Sequence, residues 1–208
     1  MIYIDFDMTL YNTENFVKDI CDIFHTHGVP LDIAYEAKER AVATDVLLHF
    51  DYTFERHIAA VRSLGQDVDQ KIVLKELNGL FTNKYVFAGA IEFIASLKEC
   101  GHKVILLTAG NANFQRSKVQ GSGVNVHVHQ EVYIPGGKDV YVRERMEKEK
   151  TFFINDNGRE NVLVKKMNPD VEVITKLNPT KNYAHVLEEL HIPIYSTFDE
   201  IYAYVITH

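Results

Sequence analysis

Ile2-Tyr3-Ile4-Asp5-Phe6-Asp7-Met8-Thr9-Leu10 is the stretch whose reading decides the fold. Three β-favouring apolar residues run without polar alternation, the texture of a strand covered on both faces, as in a parallel sheet. The run ends on an acid, Asp5, with a second acid two residues on and a threonine two residues beyond that. Ligands of open α/β sheets bind beyond the carboxyl ends of the strands, so acids at this point form the first candidate site.

Working outward, the same texture recurs at residues 103–107 (KVILL), 131–134 (EVYI), 151–154 (TFFI) and 171–174 (VEVI). Helical periodicity lies between these runs. Residues 89–100 carry Ile91, Ile94, Ala95 and Leu97 on one face and stop at Gly101. Residues 113–120, 140–149 and 160–167 also read as helices, the last closed by Asn168-Pro169. Strands alternating with helices imply βαβ units, hence an α/β fold with a parallel sheet and helices on both faces.

Residues 12–87 differ. Four helical stretches (13–27, 31 to about 50, 53–64, 67 to about 83) follow one another with no convincing strand, broken at Gly28-Val29-Pro30 and at Gly65. A βα connection normally takes about 2–6 residues. The block therefore reads as an inserted α-helical subdomain, residues 12–87, with residues 1–11 and 88–208 forming the sheet-bearing core.

Composition narrows the function classes. The 208 residues are 46% apolar, 25% charged and 11% aromatic, ordinary values for a globular chain. A formal net charge of -7 and the absence of a basic run argue against duplex nucleic acid, whose binding rests on clustered Lys and Arg. A small phosphorylated metabolite remains compatible, because a pocket can be positive while the molecule is negative. Two cysteines, Cys21 and Cys100, make no disulfide framework, and a reducing, cytoplasmic setting is expected. No basic-then-apolar leader is visible, and no apolar run approaches the ~20 residues of a membrane span.

The segments after the strands collect Asp5 and Asp7, then Thr108-Ala109-Gly110-Asn111, then Pro135-Gly136-Gly137-Lys138, then Asn155-Asp156-Asn157. On one shared rim this set has a chemistry. Asp5 and Asp156 are the oxygen ligands a hard cation such as Mg²⁺ prefers. Thr108 and Lys138 suit anionic oxygens, Asp5 can attack phosphorus, and Asp7 can protonate the leaving oxygen. Positioning and charge stabilisation then do most of the remaining work of phosphoryl transfer.

These residues resemble the motifs of the haloacid dehalogenase (HAD) superfamily. Asp5-x-Asp7-x-Thr9-Leu10 after an apolar strand is similar to the first motif, Thr108 to the second, Lys138 to the lysine of the third and Asp156 to the fourth, in order along nearly the whole chain. The resemblance implies a Rossmann-like sheet with the first strand central, flanked by those carrying Thr108 and Asp156, and a helical cap of the type-one kind. It implies Mg²⁺ held by the Asp5 carboxylate, the Asp7 backbone carbonyl and Asp156, and an aspartyl-phosphate on Asp5. It also implies Thr9, Ala109, Gly110 and Asn111 beside the substrate. An acid at Asp7 points to phosphoryl transfer, since dehalogenase branches lack one there. The expected activity is hydrolysis of a small phosphomonoester, with a phosphomutase of the same superfamily as the alternative. A non-catalytic phosphate-binding or signalling module is disfavoured, because no acid follows Ile134 immediately and the acids of the site are intact. Two departures stand out. Ala109 and Gly110 separate Thr108 from Asn111, and the second acid of the fourth motif falls on Glu160 or Asn161, both open.

Other residues carry weaker signals. In the insert, Arg40, His49, Asp51, Arg56 and His57 are candidates for touching substrate, and Lys38 is the one lysine weighed for Schiff-base chemistry. His127 and His129 share a face if extended, without a third ligand at metal spacing, and read as surface. His25 and His27 suit a helix end. Gln115 and Lys118 read by default as surface polar residues, although a similar Gln-x-x-Lys pattern recurs in capped members of the superfamily this chain resembles, and Cys21 reads as a core or cap-interface residue.

Overall fold

The computed structural model describes residues 1–44, 50–145, 150–178, 180–181 and 184–208. The opening run forms β1 (Ile2–Ile4). Four helices follow, α1 (Thr13–Thr26), α2 (Leu31–Ala41), α3 (Phe54–Ser63) and α4 (Gln70–Asn78), with a small antiparallel ribbon of β2 (Ala43–Thr44) and β3 (Phe50–Asp51) between α2 and α3. The chain then runs through α5 (Ala90–Glu99), β4 (Val104–Ala109), α6 (Ala112–Ser122), β5 (Gln130–Ile134), α7 (Lys138–Arg145) and β6 (Phe152–Asn155). It closes with α8 (Gly158–Met167), β7 (Glu172–Lys176), α9 (Ala184–Glu189), β8 (Ile194–Tyr195) and α10 (Phe198–Thr207).

Six strands make one parallel sheet in the order β5-β4-β1-β6-β7-β8, so the expected α/β class holds and β1 lies between the strands that carry Thr108 and Asp156. Side-chain alternation explains why β1 has no polar face. Ile2 and Ile4 join one buried cluster with Leu106, Phe152 and Ile154, while Tyr3 joins another with Ile105, Leu107 and Phe153.

Two expectations of the sequence are corrected. The second helix stops at Ala41 rather than running to about residue 50, because Ala43 and Thr44 pair with Asp51 and Phe50 as strands. The fourth begins after Asp69, whose carboxylate accepts from the amides of Lys71 and Ile72, and ends at Gly79. His127 and His129 lie in the turn just ahead of β5, where His129 Nδ1 accepts the Val104 amide at 3.0 Å. The candidate His49 and the end of the helix expected over residues 140–149 lie outside the described residues.

The helical insert is tied to the sheet at its root. Tyr11 on the way in and Val86 on the way out form an antiparallel bridge. Backbone bonds from Asn12 to Tyr85 O (2.7 Å) and from Phe87 to Leu10 O (2.9 Å) complete a short ladder. Farther out, Gly121 of α6 lies so close to Phe81 that a Cβ there would meet the Phe81 carbonyl oxygen at 2.4 Å. Only glycine fits that approach. No described helix is long and apolar enough to cross a membrane.

Candidate active site

The loop after β1 turns sharply. The amides of Leu10 and Tyr11 both reach Phe6 O, and Met8 takes a left-handed backbone with φ 58. That conformation is costly for a residue with a Cβ. It brings Asp5, Asp7 and Thr9 onto the same rim. The Thr9 hydroxyl donates to Asp5 Oδ2 at 3.3 Å and accepts the Asp156 amide at 3.1 Å, pinning the end of β1 to the end of β6.

Lys138, the first residue of α7, sends its ammonium to Asp5 Oδ1 at 2.6 Å and to Glu160 Oε2 at 2.8 Å, with both Lys138 and Asp5 buried. Burial pushes the Asp5 carboxyl up to about 7; Lys138 pulls it down, while Asp156 and Glu160 push the same way as burial. The Lys138 ammonium is held well above its ordinary range, since the attraction of Asp5 and Glu160 outweighs its burial. Asp156 is also raised, mainly by burial, and accepts from Asn178 Nδ2 at 2.8 Å.

Asp7 is in the opposite condition. Burial pushes its carboxyl up, but the Lys118 charge and hydrogen bonds from Lys118, Thr13 and Gln115 outweigh that and hold it below the usual carboxylate range. Gln115 Nε2 reaches Asp7 Oδ2 at 2.6 Å, Thr108 Oγ1 at 3.0 Å and Ala109 O at 2.9 Å, joining the acid to the turn after β4. Gly110 in that turn has φ 135, and its amide bonds Ile134 O at 2.9 Å.

Asp5, Asp7, Thr108, Lys138 and Asp156 line one cavity of about 320 Å³, together with Ala109, Gly110 and Asn111. Thr9 sits beneath it, fully buried. The Asn111 side chain is engaged at both ends: its oxygen caps α6 at the Phe114 amide (3.0 Å) and its nitrogen reaches Asp51 Oδ1 of the insert (2.7 Å).

A divalent cation fits this donor set. The Asp5 and Glu160 carboxylates flank the Lys138 ammonium and Asp156 lines the same cavity, and Asp5 and Asp156 have raised proton affinities. No group of three or more His, Cys, Asp or Glu side chains stands at metal-holding geometry among the described residues. Two carboxylates, a backbone oxygen and water are the set that Mg²⁺ ordinarily takes.

No protein-family model matches the chain, and no curated protein matches it in sequence. Solved structures do match. A dehalogenase superposes with a TM-score of 0.70 at 15% identity, over 97% of this chain and 95% of that one. A HAD phosphatase from Thermococcus onnurineus gives 0.63 at 16% identity, over 98% and 96%. The candidate HAD-hydrolase YfnB from Bacillus subtilis, bound to magnesium, gives 0.62 at 16% identity, over 97% and 96%. The chain has the haloacid dehalogenase fold.

Within the haloacid dehalogenase fold, the structure also shows what sequence reasoning missed. Gln115 and Lys118 are not surface residues; both are buried against Asp7, one and two turns into α6. Their spacing from Asn111, which caps the helix, was the available signal, because residues four and seven positions on share its face. Asn178, two residues past β7, was missed because the strand-end reading stopped at the fourth strand. Of the two residues left open, Glu160 holds Lys138, while Asn161 is buried against the Asn155 carbonyl and Thr175.

Among the insert candidates, Arg40 pairs with Glu36 at the surface and Arg56 with Asp51. His57 is buried, with Nδ1 2.8 Å from the Tyr52 hydroxyl and Nε2 2.9 Å from Ala34 O. The described insert residues that line the cavity are Thr13, Phe16, Val17, Ile20, Lys38, Val42 and Tyr52.

Proposed function

We propose that the protein is a Mg²⁺-dependent phosphatase that hydrolyses a small phosphomonoester through an aspartyl-phosphate on Asp5. The observation that carries this reading is the pair of carboxylates with opposite environments in one cavity. Asp5 is paired with Lys138 and shares the cavity with Thr108, and Asp7 is held below the usual carboxylate range by Lys118, Thr13 and Gln115. Displacing a halide needs a nucleophile and no proton donor, whereas an alkoxide leaving from phosphorus needs one. A second acid beside the nucleophile therefore favours phosphorus chemistry.

Lys138 on Oδ1 and Thr9 on Oδ2 fix the plane of the Asp5 carboxylate. In the first half-reaction an Asp5 oxygen bonds to phosphorus, the ester P–O bond breaks, and the departing oxygen takes a proton from Asp7. The negative phosphoryl group settling beside Asp7 raises its proton affinity, so it gains that proton on substrate binding. In the second half-reaction Asp7, again a carboxylate, takes a proton from water as the water oxygen attacks the Asp5-bound phosphorus. Inorganic phosphate leaves and Asp5 is restored. Thr108, Lys138 and the turn amides ahead of α6 hold the phosphoryl oxygens. Asp5 and Asp156 would hold Mg²⁺, which would supply positive charge to those oxygens and keep both carboxylates ionised.

The test is Asp5→Asn, assayed by Mg²⁺-dependent release of inorganic phosphate from an aryl phosphate. Activity should vanish in the variant and in wild type treated with EDTA. Undiminished turnover in Asp5→Asn would overturn the reading.

A further inference from the structure

Beside the acids, part of the cavity is apolar. Phe16, Val17 and Ile20 of α1, Val42 after α2, Tyr52, and Phe114 of α6 line it. Tyr52 and Phe114 meet edge to face, with centroids 5.0 Å apart at 82°. Three of the polar groups that line it are engaged by protein partners. The Tyr52 hydroxyl bonds His57, the Lys38 ammonium lies 2.8 Å from Glu39, and the Asn111 amide bonds Asp51.

We infer that the leaving group this wall accepts carries a flat, largely apolar ring, and that polyhydroxylated sugar phosphates are poor substrates. The inference rests on the phosphatase reading and specifies its substrate class. A ring desolvates against aromatic and branched side chains at no hydrogen-bonding cost. Sugar hydroxyls on the same wall lose water without gaining partners, which penalises them. Size agrees: an apolar cavity of about 150 Å³ holds a benzene ring, and about 320 Å³ holds a ring plus the phosphoryl group.

The experiment compares alkyl phosphates of similar leaving-group reactivity in the presence of Mg²⁺: 2-phenylethyl phosphate, ethyl phosphate and glucose 6-phosphate. The expected kcat/KM for the phenylethyl ester is at least tenfold that of either of the others. Val17→Asn, which puts an amide into the wall, should narrow that ratio at least threefold. Binding of 2-phenylethylphosphonate and ethylphosphonate, measured by calorimetry, keeps the two readings apart. Turnover with glucose 6-phosphate equal or preferred overturns the ring-binding wall and leaves the phosphatase standing. No turnover of any ester, with the phenylethyl phosphonate still bound tenfold tighter, overturns the phosphatase and keeps the wall. Equal phosphonate affinities overturn the wall whatever the turnover, and a Val17→Asn protein that fails to fold leaves the wild-type ratios to decide.

Discussion

Lys118 and Asp7, 111 residues apart in sequence, meet as an ion pair in which the lysine side chain is only 4% exposed. The ammonium stands 5.1 Å from the Tyr11 ring centroid and 5.5 Å from those of Phe6 and Phe16. Such faces stabilise a cation that water no longer reaches. Lys118, with Thr13 and Gln115, holds Asp7 low against its burial, whereas burial, Asp156 and Glu160 hold Asp5 high against Lys138.

Lys118→Met should therefore lower kcat by about 10- to 100-fold with little change in KM, since proton transfer by a positioned group contributes about 10²–10⁴-fold. Gln115→Ala, which frees Asp7 from Thr108, should act in the same direction and less strongly. Steady-state kinetics on an aryl phosphate checks both. A change confined to KM would show that the pair holds substrate rather than the acid.

Lys138→Met leaves Asp5 and Glu160 facing each other with no ammonium between them. Breaking a buried pair from one side costs about 3–5 kcal/mol, and urea unfolding without divalent metal should show a loss of that order. Stability equal to wild type would mean that the pair contributes nothing in the metal-free fold.

Mg²⁺ should raise the melting temperature of the wild-type protein. A ligand at 100 times its Kd contributes about 2.7 kcal/mol, which for a chain of this size is about 5 °C or more. Asp156→Asn should remove most of that shift. A variant that keeps the full shift would exclude Asp156 as a ligand.

His57 makes stability depend on pH. Burial, with repulsion from Lys38, lowers its pKa from 6.5 to about 4 against the pull of the Ala34 carbonyl. Between those values the unfolded chain binds the proton and the native one does not, so stability falls as pH drops from about 6.5 to about 4, by up to about 3 kcal/mol. His57→Gln, which keeps a donor for Ala34, should flatten the pH dependence of unfolding in that window. An unchanged slope would show that His57 does not gain a proton on unfolding.

Gly121→Ala should cost about 1–3 kcal/mol or more, because the added methyl group meets backbone at Phe81 and neither side can yield by a rotamer change. Thermal denaturation measures it. A neutral result would mean that α6 and the Phe81 segment separate easily.

Much of the core was legible because its signals are local. Ile2-Tyr3-Ile4 before Asp5, and Phe152-Phe153-Ile154 before Asn155-Asp156, announce buried parallel strands by lacking polar alternation, and the strand-end rule then selects Asp5, Thr108 and Asp156. Gln115, Lys118 and Asn178 were hidden for a physical reason. A lysine on a weakly amphipathic helix reads as solvated until its partner, here Asp7, is known, and that contact is made only in three dimensions. The β2–β3 ribbon was hidden too, since two-residue strands carry too little pattern to separate from a helix end. Tyr52 and Phe114 carry no signal in the sequence, and only the folded chain brings them to one cavity wall.

The bridge between Tyr11 and Val86 has a mechanical consequence. Together with the bonds from Asn12 to Tyr85 O and from Phe87 to Leu10 O, it closes both ends of the insert onto the segment that follows Asp5 and Asp7, so a substitution that loosens this stitch reaches the acids through only a few residues of backbone.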